Sequence, residues 1–567
     1  MHLSKKGGQQ SMLKKLPVPI GDTIFREVCV NNYYVDKTLL IKDIIDEGTK
    51  VMLFTRPRRF GKSLNMDMLK TFFEKTAENT AKFFMDKKIW QQGKEYTDQQ
   101  GQYPVIFISL KDIKADNWET ALEILKGVVV DEYVRHDELE TSTLISKTDA
   151  TFYQRIINLT ASAVDYMRSI QVLSRMLCAH YKKKPIIIID EYDTPIQEGY
   201  INGYYNEAIS FLRNFFSTAL KDNPCLTFSV LTGILRIGKE SIFSGLNNIR
   251  IYSVLDKKYS DYFGFTIDEV KAICDYYNAS EKLIEIKEWY DGYKFGETEI
   301  FNPWSVLSYF DTQCQAIPFW SQTSANVVIS EIIENLSGAG ITNLQKIIEG
   351  YPVESVIRTD IIYPSLKDPQ TNILGFLLMT GYLKSTETTI DEDGAYVCKL
   401  EIPNKEIKSI YRQEILSLTL KSAGESIVDD LKKRLMTKDA KLLKNTLKKF
   451  LLNSISYYDG LKENYYHGLL LGMSVIFSSH YYPLSNRESG EGRFDIQLTP
   501  KDKNMPGIII EIKASDKSSS ADLKLLAESA LEQINNKKYY TDLIAMGIES
   551  IYKYGIAFNG KHVEVVS

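Results

Sequence analysis

The chain has no CxxC pair. Its six cysteines, Cys29, Cys178, Cys225, Cys274, Cys314 and Cys398, are scattered, which excludes the usual zinc-ligand spacings and gives no sign of a disulfide framework. A reduced, cytoplasmic protein is the expectation. It also lacks any window near the ~18 apolar residues of a membrane span, so no membrane association is expected. The opening "MHLSKKGGQQSMLKK" has no apolar core of the kind a signal peptide needs and reads as a disordered lead-in over 1–15. An excess of basic charge is missing too: 69 Lys and Arg stand against 73 Asp and Glu, a formal charge of -4. That excludes a global polyanion-binding surface, and any DNA contact has to come from local Lys and Arg. There is no internal repeat and no long low-complexity tract.

What is present is enough chain for several domains, since 567 residues exceed the roughly 100–200 of one domain. "VMLF" from Val51, "YPVIFISL" at 103–110, "KKPIIIIDEYD" at 183–193 and "CLTFSVLTGI" at 225–234 are short, mostly β-branched runs separated by helical stretches. Such runs suit strands buried on both faces, and their alternation with helices predicts a mostly parallel sheet in an α/β domain over 16–255. From 256 to 400 the pattern is mainly helical, punctuated by "WYDGYKFG" at 289–296 and "FNPW" at 301–304, and reads as a lid or linker domain. A second α/β domain is expected over 401–567. It begins near a basic amphipathic stretch, 431–450, with eight Lys/Arg against one Asp. That stretch suits a solvated face first and phosphate tracking second.

"LFTRPRRFGKSLNMDML", 53–69, places Gly61, Lys62 and Ser63 between a strand and a helix. A phosphate-binding loop needs amides at a helix N-terminus, a Lys for the terminal phosphates and a hydroxyl for magnesium, and these three residues supply them. The usual first glycine falls at Arg56. The loop residues Pro57, Arg58, Arg59 and Phe60 are taken as part of the same site. "IIIIDE" ends in Asp190, suited to hold Mg²⁺, and Glu191, suited to polarise an attacking water. The same acidic end could instead cap the next helix. Thr232 is placed to sense the γ-phosphate and Arg236 to neutralise transition-state charge, with ordinary structural roles equally open for both.

With these residues in view, "RPRRFGKSLNMDML", "IIIIDEYDTPI" and "TGILRIGKESIFSGLNNI", together with "WYDGY", "NPWS" and "TGYL", resemble the AAA-ATPase-like proteins of bacteria and archaea. The resemblance runs from about Leu16 to the C-terminus. It implies a P-loop NTPase fold that binds ATP and Mg²⁺, in which an Arg-Pro-Arg-Arg opening is a family variant and Pro57 stiffens a loop without its first glycine.

In "EGRFDIQLTPKDKNMPGIIIEIKAS", 491–515, two strands are joined by a turn. Side chains alternate along a strand, so Ile509, Glu511 and Lys513 share one face and Asp495 can meet them across the hairpin. Two carboxylates and an amine suit metal-assisted phosphodiester hydrolysis, although a charged strand face also reads as solvated cross-strand pairs. The layout is similar to the PD-(D/E)XK nuclease superfamily. That resemblance implies Glu463 as a further carboxylate facing the metals, Gln533 and Tyr540 as support, and Gly492 with Arg493 as part of the motif. His467 reads as a packing or supporting residue rather than a ligand. The expectation is an ATP-binding, ATP-hydrolysing protein joined to an Mg²⁺-dependent DNA nuclease, with Mn²⁺ able to serve at the nuclease site. The alternative is a nucleotide-dependent switch or scaffold with little catalysis. DNA is the expected partner, and a homo-oligomer or a protein partner is compatible with the sequence.

Overall fold

Five of the β-branched segments pair in parallel: β1 (Val51–Thr55), β2 (Val105–Ser109), β3 (Ile186–Asp190), β4 (Ser229–Gly233) and β5 (Ile249–Tyr252), in the order β2-β3-β4-β1-β5. Every residue of β1, β3 and β4 is buried, so both faces of the sheet are covered by helices. The structure, a computed structural model, describes residues 15–236, 248–322, 343–344, 346–347, 350–359, 363, 373–411, 425–454, 466, 480–485, 488–489, 492–515 and 520–567. The chain divides into two units, Met1–Gln322 with Ser337–Ile407 and Thr323–Leu336 with Lys408–Ser567.

In the first unit, β4 lies between β3 and β1, with Leu231 opposite Ile189 on one side and Leu53 on the other. The strand ending in Asp190 is therefore one strand removed from the loop that follows β1. The helices Ile267–Tyr277, Leu283–Tyr290 and Pro303–Asp311 carry the middle region around a core of Val270, Ile286, Tyr290, Phe301 and Val306. The middle region also holds a hairpin, β6 (Tyr293–Phe295) with β7 (Thr298–Ile300), and an antiparallel sheet of β8 (Val353–Ile357), β9 (Lys384–Ile390) and β10 (Tyr396–Glu401) in the order β8-β10-β9.

Arg56 leaves β1 pointing into this unit and is fully buried. Its guanidinium lies 5.2 Å from the ring centre of Phe263 and 5.3 Å from that of Phe295. Nη1 donates to the carbonyls of Thr55 (2.9 Å) and Tyr252 (2.8 Å), and Nη2 donates to that of Tyr259 (3.1 Å). Nε finds no acceptor among the described residues. Burial pulls its pKa down to about 10, which leaves it a cation at neutral pH.

The second unit is a mixed sheet of β11 (Tyr481–Ser485), β14 (Ile496–Pro500), β15 (Gly507–Ala514), β16 (Ile551–Asn559) and β17 (His562–Val566), in that order. Only the β15–β16 pair is parallel. The two short strands β12 (Glu488–Ser489) and β13 (Gly492–Arg493) pair beside it. Ile508, Ile510 and Ile512 face a core that includes Leu431, Leu435, Leu443, Leu447 and Phe450, so the two helices that the basic stretch forms, Glu425–Met436 and Ala440–Ser454, cover that face. Ile509 belongs to the opposite core, with Phe494, Ile534 and Tyr539, under the helix Ser520–Asn536. That helix presses on β16 at Gly555, where a Cβ would fall 2.1 Å from the Ala527 carbonyl oxygen and 2.7 Å from the Leu531 nitrogen. Only glycine permits the approach.

Two outcomes follow from this packing. Arg56→Gly restores the usual loop residue yet removes the guanidinium from three carbonyls, and urea unfolding should show a loss of about 2–3 kcal/mol. Gly555→Ala should cost about 1–3 kcal/mol in the same measurement, because backbone has to move.

Candidate functional site

The loop after β1 reaches its helix, Lys62–Phe73, through two left-handed residues, Arg59 (φ 70°) and Gly61 (φ 77°). A Cβ at Gly61 would meet nothing within 4 Å, so glycine is needed there for conformation and not for space. The first helical bond runs from the Asn65 amide to the Gly61 carbonyl, which leaves the amides of Lys62, Ser63 and Leu64 ahead of the ladder. Amides at that position favour an anion. The amide of Arg56, by contrast, donates to the Gly233 carbonyl at 3.0 Å and belongs to the sheet.

Lys62 is buried, and its Nζ donates to the loop carbonyls of Arg56 (3.1 Å) and Pro57 (2.9 Å). Burial lowers its pKa, against the pull of Glu191, Asp193 and Asp190. Asp190 accepts from both sides: Ser63 Oγ donates to Oδ2 at 2.6 Å and Thr232 Oγ1 to Oδ1 at 2.5 Å. Burial raises the Asp190 pKa, while the two hydroxyls oppose the rise. Thr232 Oγ1 thus ties Asp190 to the Glu191 amide, a role that its place at the end of β4 dictates. Glu191 has a left-handed backbone (φ 51°), its amide donates to Thr232 Oγ1 (3.3 Å), and its carboxylate accepts from Thr194 Oγ1 (3.3 Å).

A cavity of about 250 Å³ is lined by Arg59, Phe60, Gly61, Lys62, Ser63 and Glu191, among others. Pro57 and Arg58 lie outside that lining. A Cβ on Gly381 would come 2.9 Å from Pro57, and Arg58 Nη2 donates to Gln197 Oε1 at 2.9 Å. Arg59 lies 4.3 Å from the Trp304 ring centre, and Phe60 packs edge-on to Tyr293 at 4.9 Å. Arg236 is half-buried and its charge acts on Tyr396 of β10, away from the cavity lining. Asp193 lies outside the residues to which the motif points, although the third acid of "DEYD" is a visible signal. Buried, it accepts from the amides of Ile234 (2.7 Å) and Leu235 (3.0 Å) and ties the end of β4 to the acidic turn.

In the second unit the alternation along β15 brings the predicted residues together. Asp495 Oδ2 accepts from the Ile512 amide at 2.8 Å, and the Asp495 amide donates to Glu511 Oε2 at 3.4 Å. Lys513 Nζ stands 3.7 Å from Glu511 Oε1, and Glu511 is 2 % exposed. Gln533 Nε2 donates to the same Oε1 at 2.5 Å and lies 3.0 Å from the hydroxyl of Tyr539. Tyr539, not Tyr540, is therefore the tyrosine that reaches the site. Tyr540 packs against the same apolar cluster that holds Tyr539, with Lys553 Nζ 3.6 Å from its ring centre. Glu463 and His467 lie outside the described residues, as does the side chain of Arg493.

Hard carboxylate oxygens are what Mg²⁺ takes. Asp190 beside the Ser63 hydroxyl suits it in the first unit, and the Asp495–Glu511 pair suits it in the second. Among the described residues no group of three or more His, Cys, Asp or Glu side chains could hold a metal ion, so each candidate site rests on one or two carboxylates. None of the described helices is long and apolar enough to cross a membrane.

A protein of Azotobacter chroococcum mcd 1, named "Uncharacterized protein in vnfD 5'region", is 24 % identical over 571 residues, covering 98 % of each chain. Among solved structures, the Walker-type ATPase PABY2304 of Pyrococcus abyssi is 16 % identical with a TM-score of 0.36, over 70 % of this chain and 98 % of that one. Residues 19–243 match the family described as predicted AAA-ATPase, and residues 461–567 match the PD-(D/E)XK nuclease superfamily. The chain thus joins an AAA-ATPase-like domain to a PD-(D/E)XK nuclease-superfamily domain, in that order.

Proposed function

We propose that the protein binds and hydrolyses ATP with Mg²⁺, and that this cycle governs a metal-dependent cleavage of DNA phosphodiester bonds by the second unit. The observation that carries the first half is the Ser63–Asp190–Thr232 bridge, which sets a hydroxyl and a carboxylate 2.6 Å apart beside the amides of the loop helix. When bound, Mg²⁺ would neutralise phosphate charge as a Lewis acid. Lys62 and the amides of Lys62 and Ser63 hold the phosphates, Ser63 and Asp190 hold the ion, and Glu191 orients water.

The second half rests on Asp495, Glu511 and Lys513. The two carboxylates hold the ion, and the Lys513 amine orients the attacking water or the charge that develops on the scissile phosphate. Gln533 is a positioning residue: its amide fixes the Glu511 carboxylate, and Tyr539 stands behind that amide. A second reading, a nucleotide-dependent switch with little turnover, has one observation in its favour. The Arg56 amide is committed to Gly233, so the loop has one donor fewer than a glycine-opened loop could turn toward a phosphate.

The full chain should hydrolyse ATP and nick plasmid or single-stranded DNA with Mg²⁺ or Mn²⁺. Lys62→Ala should lower hydrolysis by about 10²-fold, and Lys513→Ala should abolish cleavage while leaving hydrolysis intact. Wild type and both variants behaving alike would refute the enzymatic reading, and tight ATP binding without hydrolysis would select the switch. Gln533→Ala should raise the Mg²⁺ concentration needed for half-maximal cleavage by about 10–100-fold. Tyr539→Phe should shift it in the same direction, and Tyr540→Phe should leave it unchanged.

A further inference from the structure

The cavity that holds Lys62, Ser63 and Glu191 in its wall is lined elsewhere by Ile20, Tyr33, Val35, Phe265, Trp304 and Leu307. None of those six belongs to a phosphate loop, and they come from three distant stretches of sequence. Ile20, Tyr33, Val35 and Trp304 are partly buried side chains seated on the core of the middle region. Gly21 brings the N-terminal segment against the indole: a Cβ there would lie 3.6 Å from Trp304 Cζ3. From the loop side, the Arg59 guanidinium lies over the same ring at 4.3 Å. One stack therefore joins the phosphate loop to the apolar wall.

Two polar groups around that wall are already engaged within the protein. Lys37 Nζ donates to the Asp261 carbonyl and to Glu269, both at 2.6 Å, and the Tyr34 hydroxyl donates to the Met68 sulfur at 3.4 Å. What remains is mostly flat aromatic and aliphatic surface beside a cationic loop, with Asp22 and Thr23 also in the lining. Such a surface takes a planar ring by stacking, and selection then falls on ring area more than on hydrogen-bond pattern. At about 250 Å³ the cavity is below the ~300–1,000 Å³ of a drug-sized pocket, and so suits part of a nucleotide.

We infer that this wall is the nucleobase site of the phosphate loop, that it takes a purine, and that Trp304 is its specificity-determining residue. The inference rests on the nucleotide reading above. It assigns the base-recognition function to residues of the N-terminal segment and of the middle region, which the motifs of the loop do not reveal.

Isothermal titration of the full chain with ATP, CTP and inorganic tripolyphosphate separates the two layers. ATP should bind at least about tenfold tighter than tripolyphosphate, with CTP between them. Trp304→Leu should bring ATP to within about threefold of tripolyphosphate and leave tripolyphosphate itself unchanged. Equal affinity of the wild type for ATP and tripolyphosphate would overturn the base site while leaving the phosphate loop intact. Binding of neither would refute the nucleotide reading beneath it. Full discrimination retained by Trp304→Leu would remove Trp304 from the site. Should that variant fail to fold, the wild-type order of ATP, CTP and tripolyphosphate decides alone.

Discussion

A guanidinium buried among aromatic rings has to find its acceptors on the main chain, and Arg56 takes them from the end of β1, the end of β5 and the turn at Tyr259. No carboxylate hydrogen-bonds or ion-pairs with it among the described residues, so its charge is held by carbonyl dipoles and by the faces of Phe263 and Phe295. The loop that follows therefore starts from a fixed point. Its next residues can only go outward, into the middle region, before returning to the helix at Gly61. An arginine where a glycine is usual is thus a structural anchor, and the phosphate cradle proposed here would be built from amides further along.

The outward course explains why several motifs recur in one place. Gly381 of "TGYL" abuts Pro57, Trp304 of "FNPW" lies under Arg59, and Tyr293 of "WYDGY" packs against Phe60. Glu406, buried, accepts from Ser305 Oγ at 2.8 Å and from the Trp320 amide at 2.9 Å, and Trp320 stacks on Tyr382. A change in loop shape cannot stay local in such surroundings, because interiors are close-packed and respond to small displacements.

What the sequence made legible followed from short-range periodicity. The β-branched runs announced buried parallel strands, and the two-residue repeat of β15 put Glu511 and Lys513 on one face. Contacts made through turns and across distant segments were not legible in this way. The choice between Tyr539 and Tyr540 depends on the turn after the helix Ser520–Asn536, where Lys538 is left-handed (φ 51°). The strands β8 to β10 carry polar residues such as "KSTETTI" and have no apolar run to announce them. The bridging role of Thr232 came from strand order, which places β4 between β3 and β1, and no local pattern encodes that order. Nor does any spacing say that Ile20 and Trp304 share a cavity.

The basic helix Ala440–Ser454 packs on the face of Ile508, Ile510 and Ile512, so the sheet itself separates it from Glu511. Lys441, Lys448 and Lys449 are exposed there, whereas Lys444 is paired with Glu564 of β17. A polyanion drawn to these lysines would be held behind the face that carries Glu511 and could not reach the carboxylates without leaving them or rounding the sheet edge. Capture and cutting would then answer to different faces. Salt would weaken the first through counterion competition, while Glu511, buried and proposed for the second, would be screened far less.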